Sequence, residues 1–160
     1  MNNGKMIEDI KNGIVIDHIP RGKVWTIATK ILNLDKLEEG KVSLGNGYES
    51  KKIPEGKGLL KVEGVTLSRQ QLNYLALISE KINVSFIKRG EVKEKLNVRI
   101  PSHLEGLVLC ANAGCISRDV SQKVVSKVDY DSEKEQFKCH YCKTCFNESE
   151  VELNLNNYPL

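Results

Sequence analysis

The segment LLKVEGVTLSRQQLNYLALISEKINVSFIK, residues 59–88, decides the fold of the first part of the chain. Its LLKVEGV run (59–65) is rich in β-branched and apolar residues and predicts a strand, and INVSFIK (82–88) predicts another. The intervening RQQLNYLALISEK (69–81) has the spacing of an amphipathic helix. The segment is therefore a strand–helix–strand unit.

The start of this helix carries its own signal. Ser68 is followed three residues later by Gln71, which is the capping-box pattern that satisfies backbone N–H groups at a helix N-terminus. Beyond the cap, Leu72, Leu75 and Ile78 fall on one apolar stripe that is expected to pack against a sheet.

Outward from this unit, the same alternation of elements continues. GIVIDHI (13–19) predicts a strand, KVWTIATKILNL (23–34) a helix, KVSLGNG (41–47) a strand, and EVKEKLNVRI (91–100) a final strand. The order β-α-β-β-α-β plus one strand predicts an α+β, ferredoxin-like antiparallel sheet with two helices on one face. Trp25 on the first helix is expected to pack in the core or at a dimer interface.

Right-handed crossovers place the first and third strands of this fold side by side. That neighbour relation brings Asp17 and His18 on the first strand close to Lys61 on the third.

Proline breaks the strand pattern at Ile100-Pro101-Ser102, so we predict two domains, residues 1–100 and 101–160. The second has only short strand candidates, which makes it a small all-β domain: 104–110, 123–130, 135–139 and 151–157. So small a β domain buries little apolar surface, and a bound metal is a common source of the missing stability.

All five cysteines lie in CANAGC (110–115) and KCHYCKTC (138–145). Two close-spaced groups suit a tetrahedral zinc site. The preferred ligand set is Cys110, Cys115, Cys139 and Cys142. The alternatives are a pair formed by Cys142 and Cys145, His140 as a nitrogen ligand, and thiols that bind no metal. If the preferred set is right, Cys145 is a spare thiol.

Four thiolates leave no open coordination position, so such a zinc ion is structural, and a metalloenzyme is disfavoured. Residues 1–100 carry 18 Lys/Arg and 12 Asp/Glu, a balance of +6, whereas residues 101–160 carry 6 and 9, a balance of −3. A zinc-ribbon nucleic-acid-binding protein, the alternative function, is expected to be basic around its cysteines instead.

No apolar run approaches the ~20 residues needed to cross a bilayer, which predicts no membrane partner. The N-terminus has no continuous apolar stretch of the kind found in a signal peptide, so a reducing cytoplasm is the expected location.

Three segments together resemble the regulatory chain of aspartate carbamoyltransferase: IKNGIVIDHIP (10–20), LLKVEGVTLS with the following LALIS (59–79), and the cysteine pattern C-x-N-x2-C with K-C-x-Y-C. The similarity runs from about residue 5 to residue 153. It implies a noncatalytic chain with an N-terminal allosteric domain and a C-terminal domain that holds one structural Zn²⁺ and docks on the catalytic chain. It also implies homodimers, three of which bridge two catalytic trimers. It further implies that the chain regulates pyrimidine biosynthesis, with CTP and UTP as inhibitors and ATP as activator.

The resemblance also implies the nucleotide contacts. Lys61 and Lys95 match cationic contacts to the triphosphate, while Asp17 and His18 match contacts to the ribose and the α-phosphate. The remaining matched positions form an apolar wall and an N-terminal arm: Ile10, Leu59, Ile87 and Val92, with Ile7 and Glu8. Near the expected base, Ser85 stands where the family pattern has asparagine, and Gly90 where it has tyrosine.

Overall fold

The computed structural model describes residues 9–155, so the predicted arm positions Ile7 and Glu8 lie outside the described residues. The chain divides into two compact units, Met1–Arg99 and Ile100–Leu160. Within residues 9–155, no helix combines the length and the apolar character that a bilayer crossing requires.

The first unit is a five-stranded sheet with two helical segments. Its elements are β1 (Gly13–Pro20), α1 (Val24–Thr26), β2 (Val42–Tyr48), β3 (Lys57–Glu63), α2 (Arg69–Ile78), β4 (Asn83–Lys88) and β5 (Glu91–Asn97). The strand order is β2-β3-β1-β4-β5, and every neighbouring pair is antiparallel. This order confirms the predicted ferredoxin-like fold, including the adjacency of the first and third strands.

The two faces of this sheet differ because side chains alternate along each strand. Ile14, Ile16 and Leu60 belong to the face that is fully buried. The opposite face carries Val15 and Lys61, which are half-buried. On the central strands β1 and β3, the open face is therefore the one that carries charged side chains.

The helix α2 begins as predicted, because Ser68 and Gln71 form both hydrogen bonds of a capping box. It ends at Ile78 rather than at residue 81, since Ser79 is already extended with φ −168° and ψ 130°. The predicted apolar stripe is correct at Leu75, which is fully buried, whereas Leu72 and Ile78 are only half-buried.

The predicted first helix is shorter and less regular than expected. The α-helical turn α1 continues as a π-helical stretch, Ile27–Ile31. Ile27 and Ile31 are fully buried there. Trp25 is 58% exposed, so the expectation that it packs in the core of its own unit is wrong.

The second unit contains short strands, 3-10 turns and two small sheets. Its strands are β6 (His103–Glu105), β7 (Val108–Leu109), β8 (Lys127–Asp131), β9 (Gln136–Cys139), β10 (Cys145–Asn147) and β11 (Glu152–Leu153). Strands β10-β9-β8-β6 form one sheet, and β11 pairs with β7. Phe137 on β9 and Phe146 on β10 are both buried, and their rings stack with centroids 5.6 Å apart.

Candidate functional site: a four-cysteine cluster and a basic sheet face

The preferred cysteines of the sequence analysis meet at one point of the second unit. Cys110 follows β7, Cys115 precedes a 3-10 turn, Cys139 ends β9, and Cys142 lies in the turn between β9 and β10. Their four Sγ atoms all lie within 4.8 Å of one another. Two loops thus deliver two sulfur atoms each.

The spacing of the sulfur atoms fits a tetrahedral metal. A Zn–S bond of ~2.3 Å gives a tetrahedron with an edge of about 3.8 Å. The Sγ atoms of Cys110 and Cys142 are 3.5 Å apart, and those of Cys115 and Cys139 are 3.7 Å apart. A disulfide requires ~2.05 Å, so these are separate thiols arranged around a centre.

Local hydrogen bonds hold the sulfur atoms in place. The Asn112 N–H donates to Cys110 Sγ at 3.4 Å. Cys115 Sγ is 3.1 Å from Ser117 Oγ, and Cys142 Sγ is 3.2 Å from Thr144 Oγ1. In each case the partner lies two residues after the cysteine, so the loop sequence itself positions its sulfur.

The thiols of the cluster differ widely in their pKa values. Burial raises the pKa of the Cys110 thiol to about 12, whereas hydrogen bonding to Thr144 lowers the pKa of Cys142 to about 6. Four thiolates in such proximity need a cation among them, because buried charges are tolerated only when they are paired. The donor set therefore fits a structural metal with closed coordination.

The other two candidate ligands lie away from this centre. Cys145 is exposed on β10, opposite Lys138, with its Sγ 3.8 Å from the Lys143 carbonyl oxygen. His140 is exposed, and its ring packs edge-on against Tyr141. Neither residue belongs to the group of four.

A second candidate site lies on the open sheet face of the first unit. Strand pairing aligns Lys61 with Val15, Val15 with Ser85, and Ser85 with Lys95. Directly opposed residues of antiparallel strands project from the same face. Three interstrand spacings of ~4.8 Å put the two lysine Cα atoms about 14 Å apart, with smaller side chains between them.

A cavity of about 290 Å³ opens at this row. Six of the predicted nucleotide contacts line it, together with Asp9 and Val15: Ile10, Lys61, Ser85, Ile87, Gly90 and Val92. Gly90 has φ +78°, and a Cβ there would meet no atom within 4 Å, so this side of the cavity is wide.

The predicted pair Asp17 and His18 forms a separate end of the same face. Asp17 Oδ1 accepts a hydrogen bond from Lys57 Nζ at 2.9 Å and another from the His18 N–H at 2.7 Å. The neighbour that ion-pairs with Asp17 is therefore Lys57, four residues before the expected Lys61. His18 has φ +58°, which interrupts the β1–β3 register, and its Nδ1 lies 2.9 Å from Asn83 Nδ2.

The charged side chains at this end of the face bear on whether it can bind an anion. Burial lowers the pKa of His18, the carboxylate of Asp17 opposes that shift, and the nearby ammonium groups lower the pKa further: Lys57, Lys52 and Lys95. The pKa of Asp17 is lowered although burial opposes the shift, because Lys57 hydrogen-bonds to it. Lys57 is paired with Asp17. Lys52 and Lys95, by contrast, add positive charge near His18 that attracts anions.

Sequence reasoning missed Lys57, Asn83 and Asp9. Lys57 lies before the predicted strand, which begins at Leu59, whereas the observed β3 begins at Lys57. Period-two spacing places positions 57, 59 and 61 on one face. Leu59 is half-buried between the two lysines. Asn83 is buried, and only strand pairing with Asp17 reveals its place.

The chain resembles known proteins along nearly its whole length. Residues 5–99 match the family described as "Aspartate carbamoyltransferase regulatory chain, allosteric domain", and residues 102–152 match "Aspartate carbamoyltransferase regulatory chain, metal binding domain". Three curated proteins named aspartate carbamoyltransferase regulatory chain are similar to it. The protein of Thermococcus kodakarensis is 38% identical over 93% of this chain and 96% of its own length. That of Ignicoccus hospitalis is 36% identical over 94% and 96%, and that of Porphyromonas gingivalis 35% over 92% and 95%.

Proposed function

The chain belongs to the family of aspartate carbamoyltransferase regulatory chains, and we propose that it is a noncatalytic subunit that senses nucleoside triphosphates on its open sheet face. The observation that carries this proposal is the cavity in which Lys61, apolar side chains and a small polar residue lie together. Lys57 and Lys95 add positive charge beside His18 along the same face.

The contacts divide according to their chemistry. Lys61, Lys95 and Lys57 face the triphosphate as charged donors. Asp17 and His18 hold the ribose hydroxyls and the α-phosphate. Apolar side chains contact the sugar and the base, with Ser85 and Gly90 beside the base: Ile10, Leu59, Ile87 and Val92.

We further propose that the metal is one Zn²⁺ per chain, bound by the four clustered cysteines. Zinc accepts four thiolates in a tetrahedron and leaves no position for water or substrate. Its role is then to hold the second unit in the shape that docks on a catalytic chain. Reduced thiols of this kind suit the cytoplasm, where disulfides are rare.

The edges of the sheet support a homodimer. Edge strand β5 bears four charged side chains, Glu91, Lys93, Glu94 and Lys95, which discourage pairing with another strand. Edge strand β2 (VSLGNGY) bears none, and Val42 on it is 43% exposed. We therefore place the dimer interface at β2, where two copies would extend one sheet.

Replacing Val42 with lysine is expected to weaken this dimer, because a charge on the edge strand opposes edge-to-edge pairing. Sedimentation equilibrium of the full chain should show a dissociation constant raised at least about tenfold, which corresponds to ~1.4 kcal/mol. Val92→Lys on the other edge is the matched control and should leave the dimer intact. Equal weakening by both variants, or by neither, would place the interface elsewhere.

The assignment as a whole is tested by reconstitution with a catalytic chain. We expect the two chains to co-purify as three regulatory dimers joined to two catalytic trimers. The carbamoyltransferase activity of this complex should fall with CTP or UTP and rise with ATP, while the catalytic chain alone stays insensitive to all three. Turnover by the regulatory chain alone, or a complex that no nucleotide affects, would refute the proposal.

A further inference from the structure

Lys61 has an anionic partner within its own chain. The Asp9 carboxylate Oδ1 lies 3.2 Å from Lys61 Nζ, and both residues line the cavity of the open face. The Lys61 side chain is only 14% exposed, whereas that of Asp9 is 67% exposed. The ammonium group that would meet a triphosphate is thus already neutralised, by a carboxylate that sits on the solvent side.

The backbone just after Asp9 is anchored. The Gly90 N–H donates to the Lys11 carbonyl at 2.8 Å, and the Gly64 N–H donates to the Asn12 carbonyl at 2.9 Å. Ile10 is 8% exposed. The backbone that follows Asp9 is therefore held in place independently of the ion pair between Asp9 and Lys61.

Asp17, a second carboxylate of this face, is held differently. Asp17 is half-buried and accepts hydrogen bonds from both the His18 N–H and Lys57 Nζ. Moving it would leave a backbone donor without its partner, which is costly at a partly buried position. Of these two acids, Asp9 is the more exposed, at 67% against 27% for Asp17, so it is the one that an arriving anion meets first.

We propose that Asp9 is an internal competitor of the ligand, one that occupies Lys61 until a polyphosphate displaces it and so weakens the site for anions. This inference rests on the proposed function. Since the carboxylate repels phosphate and must leave its partner before Lys61 is available, its effect falls on the charged part of the ligand. The affinity for the uncharged nucleoside part should not depend on this carboxylate.

The test is calorimetric titration of the metal-loaded full chain and its Asp9→Asn variant with CTP, ATP and inorganic tripolyphosphate. Asparagine keeps the size of the side chain and removes the charge. We expect all three ligands to bind roughly three- to tenfold more tightly to the variant, on the scale of a partly exposed ion pair and its repulsion. Cytidine, which has no phosphate, should bind equally to both proteins.

Asp35→Asn removes the same charge from an exposed position of the 3-10 turn Leu34–Lys36 and should change no affinity. Equal or weaker triphosphate binding by Asp9→Asn than by the unaltered chain would overturn the inference alone, as would an equal gain in Asp35→Asn. Failure of both the unaltered chain and the Asp9 variant to bind any triphosphate would instead sink the proposed function.

Discussion

Cys142→Ser is expected to abolish metal retention and to unfold the second unit while the first stays folded. A serine hydroxyl is a poor replacement for a thiolate, and the cluster has no other sulfur atom within the tetrahedron to take its place. Structural zinc contributes about 10–16 kcal/mol of apparent binding free energy in small zinc domains. That range is comparable to, or larger than, the whole stability of a typical domain, about 5–15 kcal/mol.

Metal content per chain, measured by mass spectrometry after gel filtration, is the primary readout. The expected change is from one zinc to nearly none. Limited proteolysis provides the second readout, with cleavage confined to residues beyond 100. Because Trp25 is the single tryptophan and lies in the first unit, its fluorescence should be unchanged.

Cys145→Ser is the matched control, since it changes the same atom three residues away. Cys145 is exposed and outside the sulfur cluster, so zinc content and protease resistance should stay at the level of the unaltered chain. Equal metal loss from both variants would show that Cys145 is a ligand. Zinc retained by Cys142→Ser would show that Cys142 is not needed to bind the metal.

Spacing alone left Cys142 shared between two possible pairs, 139/142 and 142/145. The structure separates them through strand β10, which the sequence analysis did not predict. Cys145-Phe146-Asn147 is too short to show an alternating pattern, yet Phe146 is buried against Phe137 and fixes the strand. With Phe146 directed inward, the neighbouring Cys145 is directed outward, away from the metal position.

The first unit was more predictable because its sequence patterns extend over whole strands and helices and agree with one another. Period-two strands and the capping box at Ser68 led directly to the observed sheet. The π-helical stretch at Ile27–Ile31 escaped prediction, because its buried residues have the same spacing as those of an α-helix. The end of α2 was also missed, since Ser79 leaves the helix without a glycine or proline to signal it.

The least predictable features are the pairings on the open face. A positive φ at His18 shifts the β1–β3 register, and a histidine in a strand pattern does not by itself predict this shift. That irregularity coincides with the pairing of Asp17 with Lys57. Lys61, four residues further along β3, instead meets Asp9, which comes from the segment before β1. Such contacts depend on register at single-residue precision, which hydrophobic patterns do not specify.

Lys61→Ala should weaken CTP binding by roughly ten- to a hundredfold. A hydrogen bond to a charged group contributes about 1.5–3 kcal/mol, and each 1.4 kcal/mol is a factor of ten in affinity. The substitution also removes the lysine that pairs with Asp9, so repulsion between this carboxylate and a bound phosphate adds to the lost attraction. Calorimetric titration of the full chain with CTP measures the effect.

Lys36→Ala removes the same charge from an exposed position in a 3-10 turn and should leave CTP affinity unchanged. Both variants should bind the catalytic chain as the unaltered protein does, because docking is assigned to the second unit. Adding Asp9→Asn to Lys61→Ala should recover part of the lost affinity, since the repulsive carboxylate is gone although the lysine is still missing. If Lys61→Ala instead weakened docking and spared CTP binding, the open sheet face would not be the nucleotide site, because a lysine at the centre of that site cannot be lost without loss of phosphate affinity.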